Sequence, residues 1–410
     1  MKRIFCNKIY LLVLYVLFYL STGNFLNGCD TIYWVDPPVY NSESSLLSTN
    51  NGQITIIKEK EKEKEKELII ETIAGTGTPG YSEDGQQAIN AELNQPMGIA
   101  VDKEGNIYFA DAPNKAIRKI DTNGIIYTIA GNNKNNTIFA RSGELAVNIG
   151  LMYPVGLSVD KDNNLYITDS MAGYVYKVDT QGIINMISGS GIKAGELYNN
   201  YTATSFSLIE CTGIYATENG KVYFSNSGRQ QVLALFDGGL MLVAGVRTGK
   251  ATKEYSKEET KAAEVHLNTP RGIWVNSKEE VYFADSLNHV IRKVTSDGII
   301  LPIAGIGLKG YSGDKSLAIN AKLDTPTDLK GDNEGNIYIV EQENSIIRKI
   351  DKDGIITTIA GQSAGLGFRG NGTPAQSALL HKPYGIALDT KGNIYITDTF
   401  NHRIRKISLK

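Results

Sequence analysis

The strongest constraint on the fold is a short triplet, Ile or Val followed by Ala or Ser and then Gly, that recurs along most of the chain. The six triplets end at Gly75, Gly131, Gly189, Gly245, Gly305 and Gly361. Successive glycines are 56, 58, 56, 60 and 56 residues apart. An interval this constant predicts a repeat architecture, in which each unit is one supersecondary motif that buries its apolar face against its neighbours.

Each repeat contains runs with the composition of β-strands and no long helical pattern. In the first repeat these runs cover residues 97–102, 106–110, 116–121 and 125–130. Turn-forming residues separate the runs, and the pair Asn123-Gly124 favours a tight hairpin. Four-stranded antiparallel units of this length, repeated typically about four to eight times, predict a β-propeller.

The two ends of the repeat region predict how the ring closes. The last repeat stops after its third strand, residues 403–409, whereas an orphan fourth-strand sequence, residues 69–75, precedes the first repeat. Pairing these segments completes a sixth blade and removes two exposed strand edges. We therefore predict an all-β, six-bladed propeller over residues 68–410, closed between its N-terminal strand and its last blade.

Residues 1–23 have the pattern of an export signal. Lys2 and Arg3 precede residues 9–20, an unbroken run of 12 apolar or aromatic residues. That run is shorter than the about 20 residues needed to span a bilayer, and the small residues after it suit a signal peptidase. We predict a secreted or extracytoplasmic protein. An uncleaved N-terminal anchor is the alternative.

The segment Leu26-Asn27-Gly28-Cys29 is similar to a bacterial lipobox, from which it departs at Asn27 and in its distance from the apolar run. On that interpretation the signal ends at residue 28, and several acyl chains on Cys29 hold the protein to a membrane. If the signal instead ends at residue 23, residues 24–67 form a disordered tether. Its end, residues 58–67, alternates five Lys with five Glu and buries no apolar surface.

Charge and cysteine content exclude two classes of protein. Lys and Arg number 42 against 44 Asp and Glu, so the net charge is −2 and lacks the pull on phosphate backbones that nucleic-acid binders show. Cys6, Cys29 and Cys211 are too few for a disulfide framework once the signal is removed. Sequons stand at Asn135, Asn200 and Asn371, and they are used only in a eukaryotic host.

The turn between the second and third strands carries an Asn-His pair in two repeats, at Asn288-His289 and Asn401-His402. These repeats resemble NHL repeats, and the whole region resembles NHL or TolB-like propellers. The pattern continues at Asp111, Asn114 and Arg118 in the first repeat and at Glu341, Asn344 and Arg348 in the fifth. In repeats four and six we expect Asp285 and Asp398 to hold the turn by hydrogen bonds while the histidine packs over it.

The resemblance implies the fold but leaves several functions open. NHL propellers include receptor sensor domains, extracellular adhesion modules, RNA-binding regulators and peptide-amidating lyases. Export and acidity count against the RNA readers, and no histidine lies in the inner strands where those lyases hold their metal. Because no nucleophile is paired with a base, we expect a binding module rather than an enzyme. Its expected partners are an extracellular or periplasmic protein or a small polar ligand, with no nucleic acid and no membrane contact beyond the lipid anchor.

The alternative is a metal-dependent hydrolase, since gluconolactonase-like propellers resemble this chain and hold a divalent ion at the channel mouth. The aligned positions are Asn94, Glu210, Asn268, Asp324 and His381, with Met152 in the second blade. Oxygen ligands suit calcium or magnesium. Turns select the same residue types, so we expect no cofactor.

The fifth inner strand breaks the symmetry of the repeats. Five inner strands carry a glycine where this one has Asp328, and Lys330 lies two residues on, on the same face of the strand. We predict a ligand site at the channel mouth, on the face that carries the inter-blade loops and the turns between second and third strands. Its predicted residues are Tyr215, Arg271, Trp274, Asp328, Lys330, His381 and Tyr384. An ion pair between Asp328 and Lys330 that only fills space is the alternative.

The lipidation hypothesis predicts where the protein is found in the cell. If Cys29 carries the acyl chains in a bacterial host, Cys29→Ser should move the protein from the membrane fraction to the soluble fraction, because the anchor is lost. Fractionation with immunoblotting measures this shift. A mature N-terminus at Asn24, or the same distribution for both proteins, would show an ordinary secreted protein.

Overall fold

The computed structural model describes residues 67–132, 142–190, 202–246, 259–363 and 365–410, together with two strands nearer the N-terminus. The chain divides into two units, residues 1–65 and 66–410. In the first unit, Ser45–Asn50 pairs with Gln53–Lys58 as an antiparallel hairpin. The predicted signal, Cys29, the Lys/Glu run from residue 59 to 66, Asn135 and Asn200 lie outside the described residues, and the tether stays a prediction.

The second unit is a ring of six antiparallel sheets, as predicted. From the axis outwards, the first blade has strands Pro96–Val101, Ile107–Asp111, Ala116–Ile120 and Ile126–Gly131. The second has Pro154–Val159, Leu165–Asp169, Tyr174–Val178 and Ile183–Ser188. The third has Cys211–Ala216, Val222–Asn226, Gln231–Phe236 and Gly239–Ala244.

The remaining blades repeat this order. The fourth has Pro270–Val275, Val281–Asp285, Val290–Val294 and Ile299–Ala304. The fifth has Pro326–Gly331, Ile337–Glu341, Ile346–Ile350 and Ile355–Gly361. The sixth has Ile386–Leu388, Ile394–Asp398 and Arg403–Leu409, and its outer strand is Leu68–Ala74. That outer strand pairs with Arg403–Leu409 from Leu68↔Leu409 onwards, which confirms the predicted closure.

The sequence analysis missed a short fifth strand outside four blades. These strands are Glu144–Leu145, Thr260–Lys261, Ser316–Leu317 and Thr373–Pro374. Each leads into a 3₁₀ turn whose first residue is a buried alanine; in chain order the six such turns of the described blades are Ala88–Asn90, Ala146–Asn148, Ala203–Ser205, Ala262–Glu264, Ala318–Asn320 and Ala375–Ser377. Two residues are too few to show an alternating pattern, so sequence gives no signal for these strands.

The two ends of the ring differ in what they carry. Pro96 pairs with Asp111 and Val101 with Ile107, so each inner strand starts beside the turn between second and third strands. We call this end the loop face, because the inter-blade loops lie there too. The opposite end, the hairpin face, carries the turns between first and second and between third and fourth strands. In the described part of the chain, no helix is long and apolar enough to cross a membrane.

The NHL-type turn is a 3₁₀ turn held by a buried polar network. In the fourth blade, Asn288 Nδ2 donates to Asp285 Oδ2 at 2.8 Å, and Arg292 Nε donates to the same oxygen at 2.7 Å. The other oxygen, Asp285 Oδ1, accepts the backbone N–H of Asn268, which precedes the inner strand, at 2.7 Å. The turns that the structure assigns as 3₁₀ are Ala112–Asn114, Ser227–Arg229, Ser286–Asn288 and Thr399–Asn401.

The histidine of this turn joins one blade to the next. His402 Nδ1 accepts the backbone N–H of Gln95 at 3.1 Å, and His289 Nδ1 accepts that of Thr325 at 3.2 Å. In the third blade Gln230 Oε1 accepts the equivalent N–H of Thr269. The sequence predicts only that the histidine packs over its own turn. It is also an acceptor between blades, a role that requires an unprotonated Nδ1.

The closure predicts that residues 68–74 are essential to the ring. A chain that starts at residue 78 should aggregate or lose cooperative melting, because Arg403–Leu409 becomes an exposed edge. A chain that starts at residue 67 keeps the strand and is the matched control. Calorimetry and light scattering compare the two. Equal melting of both chains would show that the pairing does not stabilise the ring.

The histidine contacts predict a loss of stability in acid. Burial lowers the pKa of His402, and Arg403 and His381 lower it further. The neutral ring therefore favours the fold fully above about pH 6.5, and this contribution falls as the pH drops below that value. Each broken acceptor should cost about 0.5–1.5 kcal/mol.

The test compares melting temperatures from about pH 7.5 down to about pH 5. His402→Gln keeps an acceptor of the kind that Gln230 provides and should flatten the acid side of the profile. His289→Gln should flatten it less, since Asp324 Oδ1 lies 3.6 Å from His289 Nδ1 and would pair with the protonated ring. Identical profiles for wild type and both variants would contradict this role.

Candidate functional site

The axial channel is narrow because the inner strands approach each other through glycine. A Cβ added to Gly98 would collide with the carbonyl oxygen of Val155 in the next blade, and one added to Gly385 would crowd Met97. Glycine is the residue that allows two backbones this close. The same position in the fifth blade holds Asp328, which confirms where the ring of small residues is interrupted.

Asp328 joins the fifth blade to the sixth. Its Oδ2 accepts the backbone N–H of Ile386 at 3.0 Å, and its Oδ1 accepts that of Leu329 at 2.9 Å. Burial raises the pKa of this carboxyl, while Lys330 and the two backbone donors oppose the rise. In other blades the glycine at this position brings two backbones into contact. In the fifth blade the Asp328 side chain bonds to the next blade instead, and it also faces the channel.

Lys330 does not form the ion pair that we considered as the alternative. Its Nζ donates to the carbonyl oxygen of Ile273 at 3.3 Å and lies 5.3 Å from the centre of the Tyr215 ring. Among the described residues, no carboxylate oxygen lies within 4.0 Å of this nitrogen, and Asp328 acts on it only at longer range. Burial lowers the pKa of Lys330, against the opposing effect of Asp328.

The predicted residues do not share one mouth of the channel. Lys330 pairs with Tyr338 one position before the strand reaches the hairpin face, whereas Pro326 pairs with Glu341 at the loop face. Tyr215 and Trp274 pair with the second strands of their blades at the same depth as Lys330. The expectation that these three residues lie on the loop face is therefore wrong. Sequence alternation gives the side of a strand on which a residue lies, but not the end of the channel that it reaches.

Trp274 is a packing residue rather than part of a channel wall. Its ring lies 5.0 Å from that of Tyr282, centre to centre, and covers Gly331 of the fifth blade so closely that a Cβ there would overlap the indole. The indole thus fills space between the fourth and fifth blades. The predicted aromatic wall reduces to Tyr215 at this depth.

Arg271 and Tyr384 meet at the loop-face end of the channel. The guanidinium carbon of Arg271 lies 5.8 Å from the centre of the Tyr384 ring, and its Nη1 donates to Gln342 Oε1 at 3.4 Å. Within the described part of the chain, Arg271 Nε has no hydrogen-bond partner. Burial raises the pKa of Tyr384 to about 12, with Arg271 opposing and Asp328 and Tyr153 adding to the rise. Tyr153 therefore lies near this cluster, although the sequence analysis did not select it.

Tyr384 and Asp328 border a small cavity on the axis, with a volume of about 20 Å³. Its lining comes from all six blades: Gly98, Ile99, Gly156, Leu157, Thr212, Gly213, Ile214, Gly272, Thr327, Asp328, Lys330 and Tyr384. The ionisable side chains of this lining come from the fifth and sixth blades alone. Sequence reasoning found those three residues but missed Thr327, whose hydroxyl donates to the carbonyl oxygen of Tyr384 at 2.8 Å. Thr327 occupies the strand position that Arg271 has in the fourth blade, and a small polar residue there was its only signal in the sequence.

His381 lies apart from the cluster. Its ring packs 5.3 Å from that of Phe400, centre to centre, on the turn of its own blade. Burial and the neighbouring Lys382 lower the pKa of the imidazole. The structure therefore brings together Arg271, Tyr384 and Asp328, and separately Lys330 and Tyr215, but it leaves His381 and Trp274 in other surroundings.

The metal-site alignment was wrong in the third blade. In the first blade the backbone N–H of Asn94 bonds to the side chain of Asp111, 17 residues later. The equivalent N–H in the third blade is that of Ile209, which bonds to Asn226. Glu210 is one position out of register and has a positive φ of 52°, like Gln95. The aligned set thus contains Met152 and Ile209, which are poor ligands for calcium or magnesium. Among the described residues, no group of three or more His, Cys, Asp or Glu could hold a metal ion, so the residues do not fit such a site.

Comparison with known sequences identifies the repeat. The profile of the Teneurin NHL domain matches residues 29–149, and that of the NHL repeat matches residues 380–407. Teneurin-4 of Mus musculus is 28% identical over 272 residues, which cover 60% of this chain. Protein SUPPRESSOR OF QUENCHING 1, chloroplastic, of Arabidopsis thaliana is 28% identical over 297 residues, or 69% of this chain. The match spans 10% of the length of the teneurin and 27% of that of the plant protein.

Solved structures show the same fold at low sequence identity. A structural genomics protein of unknown function from Bacteroides thetaiotaomicron superposes with a TM-score of 0.63 at 19% identity, covering 84% of this chain and 76% of that one. An auxiliary nutrient binding protein from the same organism gives 0.60 at 17% identity, covering 89% and 83%. At these identities the likeness is one of fold. With its six described blades, its Asn-His turns and its two matching profiles, the described ring is a six-bladed β-propeller whose repeats are of the NHL type.

Proposed function

We propose that this propeller is a binding module whose axial channel takes a small polar ligand. The observation that carries the proposal is the axial cavity with ionisable groups in one sector. Five blades offer backbone, glycine and apolar or hydroxyl side chains there. Asp328, Lys330 and Tyr384 add a carboxyl, an amine and a phenol. A concave site with a few convergent polar groups is the usual form of a ligand pocket.

The size of the cavity favours a small ligand over a protein partner. Pockets for drug-sized ligands usually enclose about 300–1,000 Å³, far more than the about 20 Å³ of this cavity, so only a small molecule or one end group of a larger one can enter. A protein could reach only the rim of the channel on either face. A segment of a partner on the loop face would contact Arg271 before it reached Asp328, because the inner strands start at that face.

The chemistry of the site favours a ligand with both donor and acceptor groups. Arg271 and the Tyr384 hydroxyl, at the loop-face end, suit an acceptor or an anionic group. Asp328 lies between them and Lys330, whose amine lies beside Tyr215. Such an arrangement selects polar molecules that carry hydroxyl, carbonyl or carboxylate groups within a few ångströms of each other.

We also propose that the protein works outside the cytoplasm. Support comes from the basic residues and the 12-residue apolar run at the N-terminus. Two propellers of the same fold, from Bacteroides thetaiotaomicron and Bacteroides ovatus, are described as auxiliary nutrient binding proteins. A role in capturing a polar solute would fit that use of the fold. The hydrolase alternative is disfavoured because Met152 and Ile209 occupy two of the aligned ligand positions.

A thermal-shift screen tests the binding proposal. We expect at least one class among sugars, amino acids, carboxylates and nucleosides to raise the melting temperature, since a ligand stabilises the state that it binds. Arg271→Gln and Tyr384→Phe should each weaken that ligand by about five- to 150-fold, the equivalent of about 1–3 kcal/mol for a lost polar contact. Titration calorimetry measures the affinities.

The matched control is Arg229→Gln. Arg229 also lies over an aromatic ring, 5.5 Å from the centre of Phe206, but it belongs to the turn Ser227–Arg229 of the third blade and not to an inner strand. It should bind the ligand as wild type does. Trp274 is unsuited to this test because its loss would disturb blade packing. Unchanged affinity in both variants would refute the channel as the site, and a screen without any shift would refute binding of these four ligand classes.

A further inference from the structure

Lys330 is an amine on the cavity wall without a carboxylate in contact. Its Nζ is held by a neutral carbonyl oxygen, that of Ile273, and by the face of Tyr215. Other lysines of this sheet region have different surroundings: Lys349 lies over Tyr338 at 5.7 Å and does not line the cavity. The position of Lys330 combines access to a ligand with poor solvation of an ammonium group.

An ammonium group is costly in such surroundings, so the neutral form of the amine is more populated than in water. Burial is the largest effect on the pKa of Lys330 and lowers it. A neutral lysine amine is a nucleophile, and a desolvated pocket is one of the ways in which proteins activate it. The neutral amine also keeps one N–H that the bond to Ile273 leaves unused.

A carboxyl group of the matching kind lies two residues away. Asp328 shares the channel side of the strand with Lys330, and both line the same cavity. Burial raises the pKa of Asp328, so its acid form is more populated than that of an ordinary aspartate. A poorly solvated amine and a carboxyl on the same cavity wall are the two groups that imine formation needs.

We propose that Lys330 captures small aldehydes or ketones in the channel as a covalent imine. The lone pair of Nζ attacks the carbonyl carbon, and the carbonyl π electrons move to oxygen. A proton passes from nitrogen to that oxygen and gives a carbinolamine. Protonation of the hydroxyl by Asp328 lets it leave as water while the C=N bond forms, and loss of the remaining N–H proton returns the proton to the carboxylate. No oxidant or reductant is required.

This inference rests on the proposed function, because it names the ligand class of the same channel. The small size of the cavity limits the compounds to short carbon chains. Hydroxylated ones would also satisfy the Tyr384 and Thr327 side chains. Larger carbonyl compounds should reach surface lysines but not Lys330.

Reductive trapping tests the proposal on the full chain. The protein is treated with glycolaldehyde and cyanoborohydride at about pH 6.5 and about pH 9.5, and peptide mass spectrometry measures the modified fraction of each lysine. Each unit by which a pKa is lowered raises the neutral fraction about tenfold. We therefore expect Lys330 to be labelled faster than Lys349 at the lower pH, with the ratio falling at the higher pH.

Two variants separate activation from simple exposure. Lys330→Met should remove the labelled peptide and leave Lys349 unchanged. Asp328→Asn should slow labelling of Lys330 while the melting curve shows a folded ring; if that variant does not fold, the pH dependence of the wild-type ratio decides. Equal labelling of Lys330 and Lys349 at both pH values would overturn the proposal.

The outcomes distinguish this inference from the binding proposal. If a solute of the screen binds in an Arg271-dependent way and Lys330 is not labelled preferentially, carbonyl capture is wrong and the channel remains a non-covalent site. If Lys330 is labelled preferentially although no solute of the screen shifts the melting temperature, the inference holds and the ligand lies outside the classes screened.

Discussion

The geometry of the channel depends on one buried interaction that recurs in four blades, an arginine beside a carboxylate under the loop face. The pairs are Arg118–Asp111 at 3.8 Å, Arg292–Asp285 at 2.7 Å, Arg348–Glu341 at 3.2 Å and Arg405–Asp398 at 3.4 Å, all within the interior. The carboxylate also accepts the N–H that precedes its inner strand, so the pair fixes where that strand starts. Removal of one partner from such a pair typically costs about 3–5 kcal/mol, because the other charge stays buried.

Blades two and three show which part of this interaction the ring needs. Their third strands carry Tyr176 and Leu233 in the register of the arginine. In blade three Asn226 replaces the carboxylate, so both charges are lost together, and its Oδ1 still accepts the N–H of Ile209 at 2.8 Å. Blade two retains Asp169, which accepts three backbone N–H groups, and burial raises the pKa of its carboxyl. The constant element is thus an oxygen acceptor at the start of the inner strand. In the four blades that also carry the arginine, the guanidinium pairs with this acceptor.

The sequence predicted most of the fold, because repeated local patterns carry it. The spacing of the Ile-Ala-Gly triplets gave the number of blades, and the orphan strand before Gly75 gave the closure that the pairing of Leu68 with Leu409 confirms. The site was predicted only in part. Asp328 and Lys330 stood out against a background of glycine and small residues, but the depth of Lys330, the packing of Trp274 under the next blade and the slip of Glu210 depend on register and loop length. Those are three-dimensional quantities that alternation does not encode.

Because much of the channel is lined by glycine, the blade that carries charged side chains there contributes most to the recognition of a ligand. Where backbones touch, as at Gly98 and Gly156, no side chain can enter without separating two blades. New chemistry can enter only where a side chain supplies the contact that it displaces, and Asp328 does so by bonding to the N–H of Ile386. The same bond holds its carboxyl against the cavity and draws it out of water. The feature that makes the substitution structurally tolerable therefore also gives the carboxyl its perturbed chemistry, and Lys330, two residues along the same strand, shares that environment.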